Sequence, residues 1–240
     1  MHGSRRLKTA MLALAGASLL GNTTPAEIEA LLADGRDAEA FALVEKAADA
    51  GSIPMLTNLA WMYDEGRGVA EDDAKAAQLY REAAASGHPF AQWRLGMMID
   101  RGEAPGELFE AVSLLKQAVY QGNTNAMTSL AVMYATGRGV EQDFDQTRMY
   151  YEMAARQGNA HAVQGLGVLF ANGQGVEKNV GEAIAYWLIA SRLGSVAATE
   201  ALSPLVGQLD NEQRDDVVAR ANELIGLLGF QGTVALDPAG

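Results

Sequence analysis

The stretch LAWMYDEGRGV at residues 59–69 occurs again as LAVMYATGRGV at 130–140 and as LGVLFANGQGV at 166–176. A shorter copy, LGMMIDRG, lies at 95–102, and the loop that follows it, EAPG at 103–106, lacks the Gly-x-Gly-Val of the other copies. A second series of glycines is spaced by 36, 35, 36 and 36 residues, at Gly51, Gly87, Gly122, Gly158 and Gly194. A period of this length predicts an array of small helical units that bury their apolar faces against their neighbours.

Each unit is predicted to contain two helices. The first carries Leu, then a small residue, then an aromatic residue or Ile four positions after the Leu, a spacing that places them on one face. The small residues allow a neighbouring helix to approach closely; they are Ala60, Gly96, Ala131 and Gly167. The second helix follows a predicted N-cap at Asp72, Asp143 or Asn179 and ends at a glycine of the second series.

Two linked motifs carry a family resemblance. Ala-x-x-x-Leu-Gly-x-x-Tyr-x-x-Gly-x-Gly-Val, followed by Ala-x-x-Tyr-x-x-Ala-Ala-x-x-Gly, resembles the Sel1-like repeat, a relative of the tetratricopeptide repeat, over residues 54–194. The resemblance implies an all-α fold, a right-handed α-solenoid of antiparallel helix pairs. It also implies a non-enzymatic scaffold for protein–protein interaction.

The ends of the chain differ from its middle. Arg5, Arg6 and Lys8 precede an uncharged apolar stretch at 10–21, the plan of a secretory signal peptide. We therefore expect an exported, periplasmic protein, with an N-terminal helix of a cytoplasmic protein as the alternative. The predicted organisation is a signal peptide or N-terminal helix at 1–22, a truncated leading helix pair at 24–51, four repeat units at 52–194, C-terminal capping helices at 195–228 and a tail at 229–240.

The composition excludes several classes of function. The net charge is −12 and the pI is about 4.7, which argues against a nucleic-acid partner because phosphate binding needs a basic face. No apolar run reaches the twenty residues of a membrane span. The chain has no cysteine, so disulfides, cysteine metal sites and thiol nucleophiles are excluded.

No catalytic, metal or cofactor site is predicted. Ser113 and Lys116 spell the Ser-x-x-Lys of penicillin-binding enzymes, but the companion motifs of those enzymes are absent and the segment lies inside a predicted second helix. The three histidines, His2, His88 and His161, lack metal-ligand spacing.

A binding face is predicted on the first helices. The Leu that recurs in the first helix of each unit is taken as position zero. Positions −2, +2 and +5 then point away from the core, and −1 and +6 lie at the edge of that outer face. The resemblance to tetratricopeptide arrays implies that this face is concave. The predicted partner-binding residues are Thr57, Trp61, Asp64, Trp93, Arg94, Met97, Asp100, Thr128, Val132, Gln164 and Val168.

Exposed apolar residues and Trp mark contact sites. A charged rim that sets specificity would be formed by Asp64, Glu65, Arg94, Asp100 and Arg101. Two alternatives stay open. A tightly wound array would bury position +2, which would make Trp61 and Met97 ordinary core residues. The partner is either a protein or peptide held along the groove, or an envelope glycan such as peptidoglycan. In the second case the protein would be a glycan binder or a weak envelope hydrolase.

Overall fold

The computed structural model describes residues 24–230, so the predicted signal peptide at 1–22 and the residues 231–240 of the tail lie outside the described part of the chain. Within that part every regular element is an α-helix, as the repeat predicts. The twelve helices are α1 Pro25–Ala33, α2 Asp37–Asp49, α3 Ile53–Asp64, α4 Asp73–Ala85, α5 Pro89–Arg101, α6 Leu108–Tyr120, α7 Thr124–Thr136, α8 Phe144–Ala155, α9 Ala160–Asn172, α10 Val180–Arg192, α11 Val196–Val206 and α12 Asn211–Leu228.

The predicted N-caps are confirmed. The Asp72 side chain accepts a hydrogen bond from the Lys75 amide at 2.9 Å, and Asp143 and Asn179 accept from the amides three residues on, each at 3.0 Å. Asp210 and Gln213 form a reciprocal capping box at the start of α12. These bonds satisfy amides that a helix leaves unpaired at its first turn, so the caps fix where each second helix begins.

The glycines of the loops meet two separate demands. Gly68 has φ +77°, and a Cβ at this residue would lie 2.2 Å from the main-chain carbonyl oxygen of Asp37 on α2. Only glycine fits a left-handed conformation and this approach together. A Cβ on Gly167 would lie 2.4 Å from Nε1 of Trp187, which confirms the predicted close approach of α9 and α10.

The helices group into two compact units that divide between Ala118 and Val119. In the first unit α2 packs on α3, α3 on α4 and α4 on α5, so each helix contacts the next in sequence. In the second unit α7, α8, α9, α10 and α11 pack in the same way, and α12 returns to contact α10. Arg220 of α12 holds Glu182 of α10 with two hydrogen bonds of 2.7 and 2.8 Å.

Candidate functional site

The predicted outer face divides into two parts because its members lie in different units. Seven of the residues lie in the first unit and four, Thr128, Val132, Gln164 and Val168, lie in the second. The two parts differ in how much of each side chain remains available to a partner, so each is described separately.

Thr57 is a correction to the predicted face. Its side chain is 2% exposed, and its hydroxyl donates to the Ile53 carbonyl one turn earlier at 3.1 Å. Packing around Thr57 therefore covers a position that the helical wheel places outward. The Thr57 hydroxyl can be buried because it bonds a carbonyl of its own helix.

Two members of the predicted charged rim, Asp64 and Arg94, belong to an interior cluster, whereas Glu65 and Arg101 are exposed. The Asp64 carboxylate pairs with the Arg94 guanidinium, with side chains that are 8% and 16% exposed. The Tyr80 hydroxyl donates to the same carboxylate at 3.1 Å. Burial and the neighbouring charge of Asp64 raise the pKa of Tyr80 well above its ordinary value. The cluster joins α3, α4 and α5, so the charges of Asp64 and Arg94 are used within the chain and do not face solvent as the sequence suggested.

The two tryptophans of this unit are half-buried and already in contact with neighbouring side chains. The Arg67 guanidinium lies 5.5 Å from the Trp61 ring centre and also bonds Asp37 at 3.0 Å. The Trp93 ring meets the Phe90 ring edge-on at 5.3 Å, and the Arg94 guanidinium lies 5.7 Å from it. Met97 and Asp100 are also half-buried. The groove and core interpretations of these residues each hold in part, since the residues neither lie in the core nor form a free apolar surface.

In the second unit the structure brings the predicted residues together around an open cavity. Thr128 and Val132 of α7 and Gln164 and Val168 of α9 line a space of about 350 Å³. Val132 is 43% exposed, although it is a large apolar residue. The volume lies within the range of ligand sites in proteins. We call this space the Tyr151 cavity, after the buried ring of α8 that also lines it.

Six lining residues were not among the predicted site residues. They are Ala135, Tyr151, His161, Gly165, Leu169 and Gln174. Tyr151 comes from a second helix, whereas the helical wheel considered first helices only. A Cβ on Gly165 would lie 2.5 Å from Cζ of Tyr151, so the absent side chain lets the ring lie against α9. Burial raises the pKa of the Tyr151 hydroxyl, which therefore stays protonated at neutral pH.

The cavity is an apolar site without charged walls. Neither α7 nor α9 contains Asp, Glu, Lys or Arg, although the whole chain carries a net charge of −12. Among residues 24–230, no three His, Cys, Asp or Glu side chains lie close enough to hold a metal ion. None of the helices in this range is long and apolar enough to cross a membrane. The arrangement is suited to burying apolar atoms with a few polar contacts.

Comparison with solved structures gives similar chains. A Sel1 repeat protein from Oxalobacter formigenes is 27% identical with a TM-score of 0.71, over 86% of this chain and 92% of that one. The protective antigen c5321 of uropathogenic Escherichia coli is 27% identical with a TM-score of 0.65, over 82% of this chain and 46% of c5321. The immunity protein Pa5087 from Pseudomonas aeruginosa, at 22% identity and TM-score 0.58 over 91% and 90% of the two chains, shares the fold.

A family model for the Sel1 repeat matches five segments of the chain, at residues 35–52, 54–88, 89–123, 124–159 and 160–195. The last four segments follow one another without a gap from 54 to 195, and the first is a shorter match on α2, ahead of them. Proteins of this family are generally interaction modules without catalytic activity. The helix pairs, the family model and the solved structures confirm the predicted all-α solenoid, and the chain belongs to the Sel1 repeat family.

Proposed function

We propose that this protein is a non-enzymatic scaffold that holds a segment of a partner protein on the face of α7 and α9, at the Tyr151 cavity. The observation that carries the proposal is the cavity of about 350 Å³ between the two helices, lined by residues at three outward positions of the repeat. Exposed apolar area of this kind commonly marks a contact site.

The chemistry of the cavity favours recognition by apolar burial. Val132, which is 43% exposed, and the half-buried Val168 supply apolar area that a partner can cover, and covering a side chain as exposed as Val132 contributes about 1 kcal/mol or more. Leu169 lines the same wall but is only 3% exposed, so it adds shape rather than binding energy. The Thr128 hydroxyl already donates to the Thr124 carbonyl, and the Gln164 side-chain oxygen accepts from the Ser195 hydroxyl. The Thr128 hydroxyl oxygen as an acceptor and the Gln164 amide nitrogen as a donor are therefore the groups that can orient a bound segment.

The first unit is less suited to this role. Trp61 is covered by Arg67, and Arg94 is committed to Asp64. A partner would have to displace these contacts before it gained its own, and that displacement subtracts from affinity. We therefore assign the principal binding site to the second unit, which narrows the predicted face to the four members of that set in α7 and α9.

A matched pair of substitutions tests the proposal. Val132 and Val180 are 43% and 46% exposed, but Val132 lines the cavity and Val180 begins α10. We expect Val132→Lys to lose the partner captured by the wild-type protein from lysate and envelope fractions, and Val180→Lys to keep it. A partner retained equally by both variants would refute the assignment. Shifts in tryptophan fluorescence with soluble peptidoglycan fragments, without any captured protein, would favour the glycan alternative.

We also propose that the protein is exported. The support is the basic and then apolar order of residues 5–21, which precede the first described helix. N-terminal sequencing of the protein recovered from the periplasmic fraction should find a mature chain that starts shortly before Thr24. Recovery of the intact N-terminus in the cytoplasm would refute export.

A further inference from the structure

The two units contain equivalent positions that can be compared directly. Asp64 and Ala135 are 71 residues apart, as are Tyr80 and Tyr151, and Arg94 and Gly165. The members of each pair occupy the same places in the repeat: the end of a first helix, the middle of the second helix and the middle of the following first helix. The chain therefore supplies its own reference for what these three positions do.

In the first unit the three positions form a closed polar cluster. Asp64 pairs with Arg94 and accepts the Tyr80 hydroxyl at 3.1 Å. Buried polar groups of this kind are ordinarily hydrogen-bonded because an unpaired one costs free energy. Here the tyrosine is retained together with both partners.

In the second unit the tyrosine is retained and both partners are lost. Alanine and glycine replace the acidic and basic residues, so Ala135 offers Tyr151 no side-chain acceptor and Gly165 has no side chain. Tyr151 is 9% exposed, and within residues 24–230 its hydroxyl has no hydrogen-bond partner. The end of the ring that carries the hydroxyl lies at the cavity wall, because a Cβ on Gly165, which also lines the cavity, would be 2.5 Å from Cζ of Tyr151.

The other second helices satisfy or avoid the same requirement. Trp187 occupies the equivalent position in α10, and its Nε1 donates to the main-chain oxygen of Gln164 at 3.2 Å. Leu115 occupies it in α6 and has no polar head. Tyr151 is thus the member of this series that has a polar head without a partner among the described residues.

We infer that the Tyr151 cavity takes an uncharged side chain of the bound segment, one whose head carries a hydrogen-bond acceptor for the Tyr151 hydroxyl. This inference rests on the function proposed above and names the chemistry of its ligand. An amide head, as in Asn or Gln, supplies such an acceptor together with a short apolar stem.

The absence of charged side chains among the described residues of the cavity walls disfavours a ligand with an ionised head. In the first unit a carboxylate at this place is balanced by Arg94, whereas Gly165 offers no cation. A buried ion without a counter-ion loses several kcal/mol of hydration, and an arginine head would meet no carboxylate here. His161 is exposed and Gln164 half-exposed at the same cavity, so the walls around the hydroxyl supply polar contacts without fixed charge.

The test compares two probes of one shape, isovaleramide and isovalerate. Both carry the same branched apolar body, but one ends in a neutral amide and the other in a carboxylate. Binding is followed at pH 8 by the NMR shifts of the valine methyl groups at 132 and 168. We expect isovaleramide to shift both sets of methyl signals at millimolar concentration and isovalerate to leave them unchanged.

Two variants locate the contact. Tyr151→Phe should weaken isovaleramide about fivefold, the effect of one hydrogen bond, and should leave the unfolding midpoint unchanged because no bond within the chain is lost. Tyr80→Phe is the matched control; it should lower the unfolding midpoint and leave probe binding intact. Ala135→Leu should fill the cavity and abolish binding even if the Tyr151 variant is poorly folded.

Several results would overturn the inference. They are equal or tighter binding of isovalerate, unchanged isovaleramide binding in Tyr151→Phe, and no methyl shift at up to about 100 mM probe, a limit that corresponds to a binding free energy weaker than about 1.4 kcal/mol. These measurements need no partner protein, so their failure is distinct from retention of a captured partner by Val132→Lys, which would refute the proposed function itself.

Discussion

The ion pair between Asp64 and Arg94 leads to a sharp prediction about stability. Asp64→Ala leaves the Arg94 guanidinium, whose side chain is 16% exposed, without its carboxylate, and it removes the acceptor of the Tyr80 hydroxyl. Breaking one side of a buried pair costs about 3–5 kcal/mol, and a hydrogen bond to a charged group contributes about 1.5 kcal/mol or more. Because Arg94 keeps some access to water, we expect a total loss of about 3 kcal/mol.

The assay is urea unfolding followed by circular dichroism, combined with hydrogen exchange read by mass spectrometry. Exchange should accelerate in α3, α4 and α5, the three helices that the cluster joins. A double-mutant cycle with Arg94→Ala isolates the pair, because removing both charges leaves no uncompensated ion. The double variant should be about 2 kcal/mol more stable than the sum of the two single effects predicts.

The control is Glu82→Ala, which removes an exposed carboxylate of α4 in the same unit. It should change the free energy of unfolding by less than about 0.5 kcal/mol. Additive single effects, or a cost below about 1 kcal/mol for Asp64→Ala, would show that the cluster does not hold these helices together and would remove the reference on which the comparison with Tyr151 depends.

Three further predictions concern other contacts. Gly68→Ala should lower the free energy of unfolding in urea by more than about 2 kcal/mol, because the added Cβ would lie 2.2 Å from a carbonyl oxygen of α2. Gly35→Ala, also at positive φ but with no atom within 4 Å of the added Cβ, should lower it by only about 1 kcal/mol. Equal costs would contradict the contact. Burial and the nearby charge of Glu182 raise the pKa of Tyr186 to about 12. The contribution of Tyr186 to stability is therefore complete below the unfolded pKa of about 10 and is lost as the pH rises through 12. Tyr186→Phe should flatten the alkaline decline in the unfolding midpoint, and an unchanged decline would assign that decline to other groups. Arg220→Met should speed hydrogen exchange in α12 and remove most of the salt dependence of that exchange, because Arg220 bonds Glu182 on α10. Unchanged exchange in α12 would show that apolar contacts alone hold the helix in place.

The helices and their ends could be predicted from the sequence because their causes are local. Asp72 and Asp143 cap helices through amides three residues away, and Gly87 ends α4 at φ +87°. A motif of this length contains both partners of each interaction, and its repetition confirms the interpretation several times within one chain. The family was predictable for the same reason.

Exposure on the binding face could not be predicted in the same way. A helical wheel assigns one direction to each position, but burial depends on what the adjacent helices place there. Thr57 is covered, and Arg94 bonds an aspartate 30 positions earlier and so turns inward. Val132 remains 43% exposed, whereas Trp61, 71 residues earlier at the same position of the repeat, is half-buried. The difference arises from long-range partners that differ between units while the repeat stays in register.

The same reasoning gives a way to find sites in repeat proteins from sequence. The signal for the Tyr151 cavity was present in the chain: at an offset of 71 residues, Asp64 becomes Ala135 and Arg94 becomes Gly165 while the tyrosine is retained. A repeat that loses all three members of a polar cluster would leave only an apolar junction. One that retains a polar head beside a cavity and loses both of its partners leaves that head without a protein partner, so a ligand in the cavity can supply the missing acceptor. Partial loss of a cluster, rather than departure from the repeat consensus alone, is therefore the feature that points to a ligand.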